Sequence, residues 1–164
     1  MIQEKGAGPV RADYHVHTSF SDDSETLMEE AVLHAIAVGL DEICFTEHID
    51  YGVKTDLNCD CEKYVEEVRR CQALYGDKIA IRLGMEFGMQ THTVRQFRDT
   101  FHRYPFDFII LSCHQVDNQE FWTYEFQEGK TQDEYNRRYY EEILHVVQQY
   151  DDYSVLGHLD MICR

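Results

Sequence analysis

Lys78-Ile79-Ala80-Ile81-Arg82-Leu83-Gly84-Met85-Glu86 is a mostly apolar run that ends on a carboxylate. Its aliphatic and β-branched side chains read as a strand over Lys78–Leu83, with Gly84 marking the end and Glu86 just beyond. The same grammar repeats on either side. Ala12–Tyr14, Glu42–Thr46, Phe106–Leu111 and Tyr153–Leu156 read as four further short strands. His15 and His17 follow the first of these, Glu47 and His48 the second, His114 the one after Glu86, and His158 the last.

Helical patterns fill the gaps. Thr26 and Glu29 form a capping box for a helix to Val38, with Leu27, Ala31, Ala35 and Val38 as its apolar stripe and Gly39 as its stop. Tyr64, Val68, Cys71 and Tyr75 share one face of a second helix, and Val94, Phe97 and Phe101 suggest a third. Thr131 and Glu134 cap a fourth, running through Tyr139, Ile143 and Val147. Asp117–Lys130 is polar and aromatic without a period and reads as a long functional loop. Strands alternating with helices imply an α/β fold, a parallel sheet with helices packed outside it. Residues 1–164 read as one domain, without repeat or linker.

An apolar fraction of 43% with 13% aromatic residues fits a packed core. The net charge of −16, from 15 basic and 31 acidic residues, disfavours nucleic acid or an anionic membrane as partner. A small anionic substrate stays compatible, because bound divalent cations would invert the local sign. No apolar run approaches the roughly 18 residues of a membrane span, and Met1–Val10 lacks a signal peptide's apolar stretch. A cytoplasmic protein with reduced cysteines is therefore expected. Cys59-Asp60-Cys61 has one intervening residue where zinc sites usually have about two to four, so no metal is assigned to it.

Each strand thus delivers a candidate ligand at its C-terminal end, where sites of parallel α/β folds assemble. His-x-His on a strand places both rings on one face, because side chains alternate with period two. Mixed imidazole and carboxylate ligands suit Zn²⁺, Mn²⁺ or Fe²⁺ better than Ca²⁺ or Mg²⁺. Taken singly, each histidine could equally be a core residue bonded to backbone; the repetition at one end carries the metal reading. His34, His92, His102 and His145 fall in or near helices and read as surface or packing residues. Asp50, Asp117 and Asp160 are either carboxylates that take the second N–H of a ligating ring or loop acids in water.

These blocks resemble the PHP (polymerase and histidinol phosphatase) domain family. Asp13-Tyr14-His15-Val16-His17-Thr18 with Ser21-Asp22-Asp23-Ser24 is similar to its opening motif. Thr46-Glu47-His48 resembles the second, although Asp is commoner where Glu47 stands. Gly84-Met85-Glu86, Ser112-Cys113-His114 and Gly157-His158-Leu159-Asp160 resemble the next three. His114–Asp117, Phe121-Trp122 and Tyr139–Glu142 resemble the histidinol-phosphatase branch.

The resemblance implies a distorted (β/α)7 TIM-like barrel and three divalent metals (zinc, manganese or iron). His15, His17 and Glu86 would hold the first, and Glu86, His114 and His158 the second. Asp22 and His48 would hold the third. Glu86, His114 and His158 are also taken as catalytic, Glu86 bridging two ions. The implied reaction is attack of hydroxide on the phosphorus of a small monoester, L-histidinol phosphate in histidine biosynthesis. Arg164 matches a region where related enzymes place a phosphate-binding arginine. The family's final Asp-x-His has no counterpart here, and five βα units stand where the family has seven. That shortfall predicts open sheet edges and a homo-oligomer formed through them. Another phosphoesterase of this family, or a catalytically silent metal-binding fragment, are the competing readings.

Overall fold

The computed structural model describes residues 9–53 and 55–163. Its strands are β1 (Ala12–Val16), β2 (Glu42–Phe45), β3 (His48–Asp50), β4 (Ala80–Gly88), β5 (Phe108–Ser112), β6 (Gln115–Val116), β7 (Gln119–Glu120) and β8 (Val155–Leu156). The α-helices are α1 (Met28–Val38), α2 (Cys61–Tyr75), α3 (Val94–Arg103) and α4 (Gln132–Val147). The main sheet runs β1-β2-β4-β5-β8, every pairing parallel, with β1 and β8 at its edges.

Period-two alternation divides the sheet into two faces. Ile43 and Phe45 of β2, Ile81, Leu83, Met85 and Phe87 of β4, and Ile109 and Leu111 of β5 belong to one buried core. Val32 of α1, Tyr64 and Val68 of α2 and Phe97 of α3 pack into the same core. The opposite face of β4 therefore presents Arg82, Gly84, Glu86 and Gly88. Tyr64 ties the helix layer to the sheet, its hydroxyl donating to the carbonyls of Phe45 (2.8 Å) and Gly84 (3.0 Å).

Two strand expectations need correction. β4 is nine residues long and does not stop at Leu83, so Glu86 lies inside it. Its far half is held by neighbours on both sides, His48 facing Glu86 from β3 and Ile110 facing Glu86 from β5. Backbone pairing carries the strand through Gly84 although the local sequence signals an end. His48 likewise opens a strand of its own, separated from β2 by Thr46 and Glu47.

Helix α1 begins at Met28, and Leu27 in the capping position makes no side-chain cap. The expected Thr26–Glu29 box does not form there; the Thr26 carbonyl instead accepts Ser19 N at 2.8 Å, closing the loop after β1. The buried stripe is Met28, Val32 and Ala35, while Leu27 and Val38 are exposed. Gly39 ends the helix at φ 79°, as its position suggests. The Thr131–Glu134 box forms as expected. Asp117–Lys130 is not structureless: a β6–β7 hairpin turns on Asp117 and Asn118, both at positive φ (54° and 61°). Phe121 and Phe126 then bury against Tyr139 and Val116 in a second, smaller core. Among the described residues no helix is long and apolar enough to cross a membrane.

Candidate metal centre

Glu86 is fully buried, and its two carboxylate oxygens collect side chains from, or just beyond, β1, β3, β5 and β8. Oε2 lies 2.9 Å from His15 Nε2 and 3.0 Å from His48 Nε2. His17 Nε2 is 3.1 Å from the same oxygen but buried without hydrogen-bond alignment. Oε1 lies 2.8 Å from His158 Nε2 and 3.2 Å from His114 Nε2, and accepts Ser112 Oγ at 2.6 Å.

The opposite ring nitrogens explain why. His114 Nδ1 faces Asp50 Oδ1 at 3.0 Å. His17 Nδ1 faces both Asp23 oxygens at 3.1 Å. A neutral imidazole has one N–H, and a carboxylate can only accept it. With that proton on Nδ1, Nε2 is a bare lone pair aimed at the lone pairs of Glu86. That arrangement is repulsive unless a cation lies between the two. Protonating the rings is the other escape, but a carboxylate offers only about four acceptor positions, fewer than five imidazoles and Ser112 together demand. The donor set fits divalent metal, with carboxylates fixing the tautomer from behind.

The electrostatics show a strong pull on positive charge at this point. Burial opposes ionisation of Glu86, yet the imidazoles of His114, His15, His158 and His17 outweigh it and hold the carboxyl well below its usual range. Burial would also lower the His114 pKa; Asp50 and then Glu86 reverse this and raise it to about 10. His17 is raised too, Glu86 and Asp23 overcoming its burial.

Three groups have ligand atoms within 4.8 Å of one another: His15, His17 and Glu86; His17, Asp23 and His48; and His48, Glu86 and His114. The first coincides with the expected first metal position. His158 joins the Glu86–His114 pair through Oε1, as the second position requires. At the third, Asp22 Oδ1 is 3.9 Å from His48 Nδ1, and the adjacent Asp23 stands in the His17–His48 group. The sequence motifs contain Asp23, Ser112 and Glu47 (now seen to be buried), but gave none of them a role at the centre. The Glu47 carboxylate accepts Thr18 Oγ1 and Ser21 Oγ, both at 2.6 Å, and so anchors the loop that carries Asp22 and Asp23. The place of Asp23, Ser112 and Glu47 inside those motifs was the available signal.

Of the three second-sphere candidates, Asp50 takes that place. Asp117 pairs with Arg138 instead, and Asp160 is exposed. His34, His92, His102 and His145 are all exposed, and none has an atom in these groups. Arg164 lies outside the described residues. Gly88 is required by close approach: a Cβ there would come within 1.8 Å of Asp50 Oδ1 and 2.5 Å of His114 Nδ1. A cleft of about 290 Å³, bordered by Asp22, Asp23, His48, Asp50, His114 and Trp122, opens beside the centre.

Residues 13–164 match the PHP domain family. The chain belongs to that family. A histidinol-phosphatase of Lactococcus lactis subsp. lactis is 40% identical over 156 residues, covering 94% of this chain and 58% of that protein. A probable histidinol-phosphatase of Clostridium acetobutylicum is 29% identical over 154 residues, covering 93% and 58%. The crystal structure of the histidinol phosphate phosphatase from L. lactis, complexed with zinc, L-histidinol and phosphate, shares the fold with a TM-score of 0.87. That likeness, at 40% identity, covers 94% of this chain and 60% of the other. This PHP chain therefore spans about three-fifths of the length of the relatives it matches. Its open parallel sheet is the half-barrel that a TIM-like barrel interrupted after about five βα units leaves.

Proposed function

We propose that this PHP chain is a metal-dependent phosphomonoester hydrolase whose substrate is L-histidinol phosphate, released as L-histidinol and phosphate in histidine biosynthesis. The observation that carries the reading is the convergence of five imidazoles on the buried Glu86, two of them backed by carboxylates. The zinc, L-histidinol and phosphate in the L. lactis structure support the choice of substrate and metal.

In this reading His15, His17 and Glu86 hold one ion, and Glu86, His114 and His158 a second. Asp22 and His48 hold a third, with Asp23 at hand. Divalent ions at these positions, zinc first and manganese or iron as alternatives, make water acidic near neutral pH and neutralise charge on phosphoryl oxygens. Asp50 and Asp23 keep the Nδ1 protons of His114 and His17, so that Nε2 is the ligating atom. Trp122 and the three aspartates border the space left for the organic part of the substrate. The cytoplasm, where buried free thiols stay reduced, is the proposed place of action. The exposed edge strand β8 is the proposed contact between copies, through Val155 and Leu156. Sedimentation showing only monomer over a wide concentration range would refute that contact.

Phosphate release decides the main reading. Zinc-loaded protein should hydrolyse L-histidinol phosphate at least about tenfold faster (as kcat/KM) than a panel of other monoesters. Equal rates across the panel would leave a phosphoesterase of a different substrate. Absence of bound transition metal by elemental analysis at neutral pH would sink the centre itself.

A further inference from the structure

The hairpin between the centre and its cleft is held by more than its own two strands. β6 starts at Gln115, the residue after His114. β7 leads through Phe121 to Trp122, which borders the cleft of about 290 Å³. Val116 pairs with Gln119, leaving Asp117 and Asn118 as a two-residue turn with both φ angles positive. Asp and Asn adopt that conformation more readily than most residues, so the turn itself needs no side-chain partner.

Both tip residues nonetheless have partners from outside the hairpin. The Asn118 side-chain oxygen accepts Gln90 Nε2 at 2.9 Å and lies 3.1 Å from His92 Nε2, while its backbone amide donates to Gln90 Oε1 at 2.8 Å. Gln90 is fully buried just beyond β4, and its amide group also donates to the Tyr51 carbonyl and to Gln115 Oε1, both at 3.2 Å. The Asp117 carboxylate accepts Arg138 Nη2 at 3.0 and 3.1 Å. Arg138 Nη1 donates to the buried Glu142 at 3.0 Å, whose other oxygen accepts Thr91 N at 2.6 Å. Buried amides and carboxylates are costly to leave unpaired, so these links fix the tip against β4 and α4. Further along, the Phe121 ring packs on Phe126 and Tyr139, with centroids at 5.2 and 5.3 Å. A side chain carried just past a hairpin pinned at base and tip has little freedom to swing.

We propose that Asn118 and Asp117 are positioning residues. Pinned by Gln90 and Arg138, they hold Trp122 as a wall of the cleft and so set the affinity for the organic half of a phosphomonoester, leaving its phosphoryl end to the metal centre. An indole beside Asp22, Asp23 and Asp50 favours a cationic or aromatic group there. This role rests on the phosphoesterase reading above for the identity of its ligand.

Trp122 is the single tryptophan of the chain, so its emission reports on the wall without catalysis. Asn118→Gly keeps the left-handed turn and removes only the side-chain clamp. In the zinc-loaded variant the fast, nanosecond part of the Trp122 anisotropy decay should grow at least about twofold in amplitude. KM for L-histidinol phosphate should rise about fivefold, the worth of one aromatic contact, with kcat unchanged. The inhibition constant of inorganic phosphate, which reads the metal end of the site, should stay as in wild type. Asp117→Asn, exposed and tolerant of the same turn, should repeat the pattern with a KM rise of about twofold, and serves if Asn118→Gly fails to fold. An unchanged anisotropy decay in both variants overturns the proposal, as does a fall in kcat at constant KM or an equal weakening of phosphate. If wild-type protein leaves L-histidinol phosphate intact while the anisotropy still responds, the choice of substrate falls and the positioning of Trp122 stands.

Discussion

Glu42 and Glu86 stand on the same face of the sheet, on neighbouring strands, and differ in what surrounds them. Glu42, at the amino-terminal end, accepts Arg82 Nε at 2.7 Å and the Tyr14 hydroxyl. Its guanidinium partner is 47% exposed. Glu86, at the carboxyl end, is fully buried, and its ion-pair partners among the described residues are all histidines. An arginine is a permanent counter-charge, so the Glu42 pair is complete as it stands. Imidazoles can surrender their protons and offer lone pairs instead. A buried carboxylate ringed by such groups is satisfied fully only when a metal cation joins it. The same residue type is thus a surface brace in one place and the proposed metal bridge in the other.

Removing the charge from each glutamate tests that contrast most directly. Glu86→Gln should lower zinc affinity by at least about 100-fold, more than the roughly 10–100-fold typical of outer partners, as read by competition with a chromophoric chelator. Retention of full affinity would end the bridging role. Gly88→Ala should cost about 2 kcal/mol of stability in urea unfolding, through overpacking against the Asp50–His114 bond. Zinc affinity should fall with it. Asp50→Asn keeps the volume but not the charge behind His114. Zinc affinity should drop about tenfold, with urea stability of the metal-bound protein little changed. The smallest effect is expected at the other end of the face. Glu42→Gln should cost less than about 1 kcal/mol, because the pair is partly exposed. It should leave zinc binding untouched, and a zinc defect there would dissolve the distinction between the two ends.

Much of this contrast was legible beforehand, for identifiable reasons. Apolar runs separated by amphipathic stretches are local patterns, and they located five strands and four helices to within a few residues. Glu86, His15, His17, His48, His114 and His158 were found because each follows or closes such a run. Glu47 was not recognised as the anchor of the Asp22–Asp23 loop, since its partners Thr18 and Ser21 are 29 and 26 residues away. The extension of β4 through Glu86 was missed because cross-strand pairing with β3 and β5 outweighs the stop that Gly84 suggests. The Thr26 cap failed for a similar reason, its carbonyl being taken by Ser19.

The sequence by itself determined the class of fold and the chemistry available at one end of its strands, because hydrophobic period and residue type are properties of neighbours along the chain. Only the tertiary structure showed Glu86 buried among five imidazoles and Glu42 braced by Arg82 and Tyr14. It also separated Asp50, behind a ligating ring, from Asp117, spent on an arginine. Those assignments depend on burial and on angles between groups dozens of residues apart. Side-chain spacing along the chain carries no record of either.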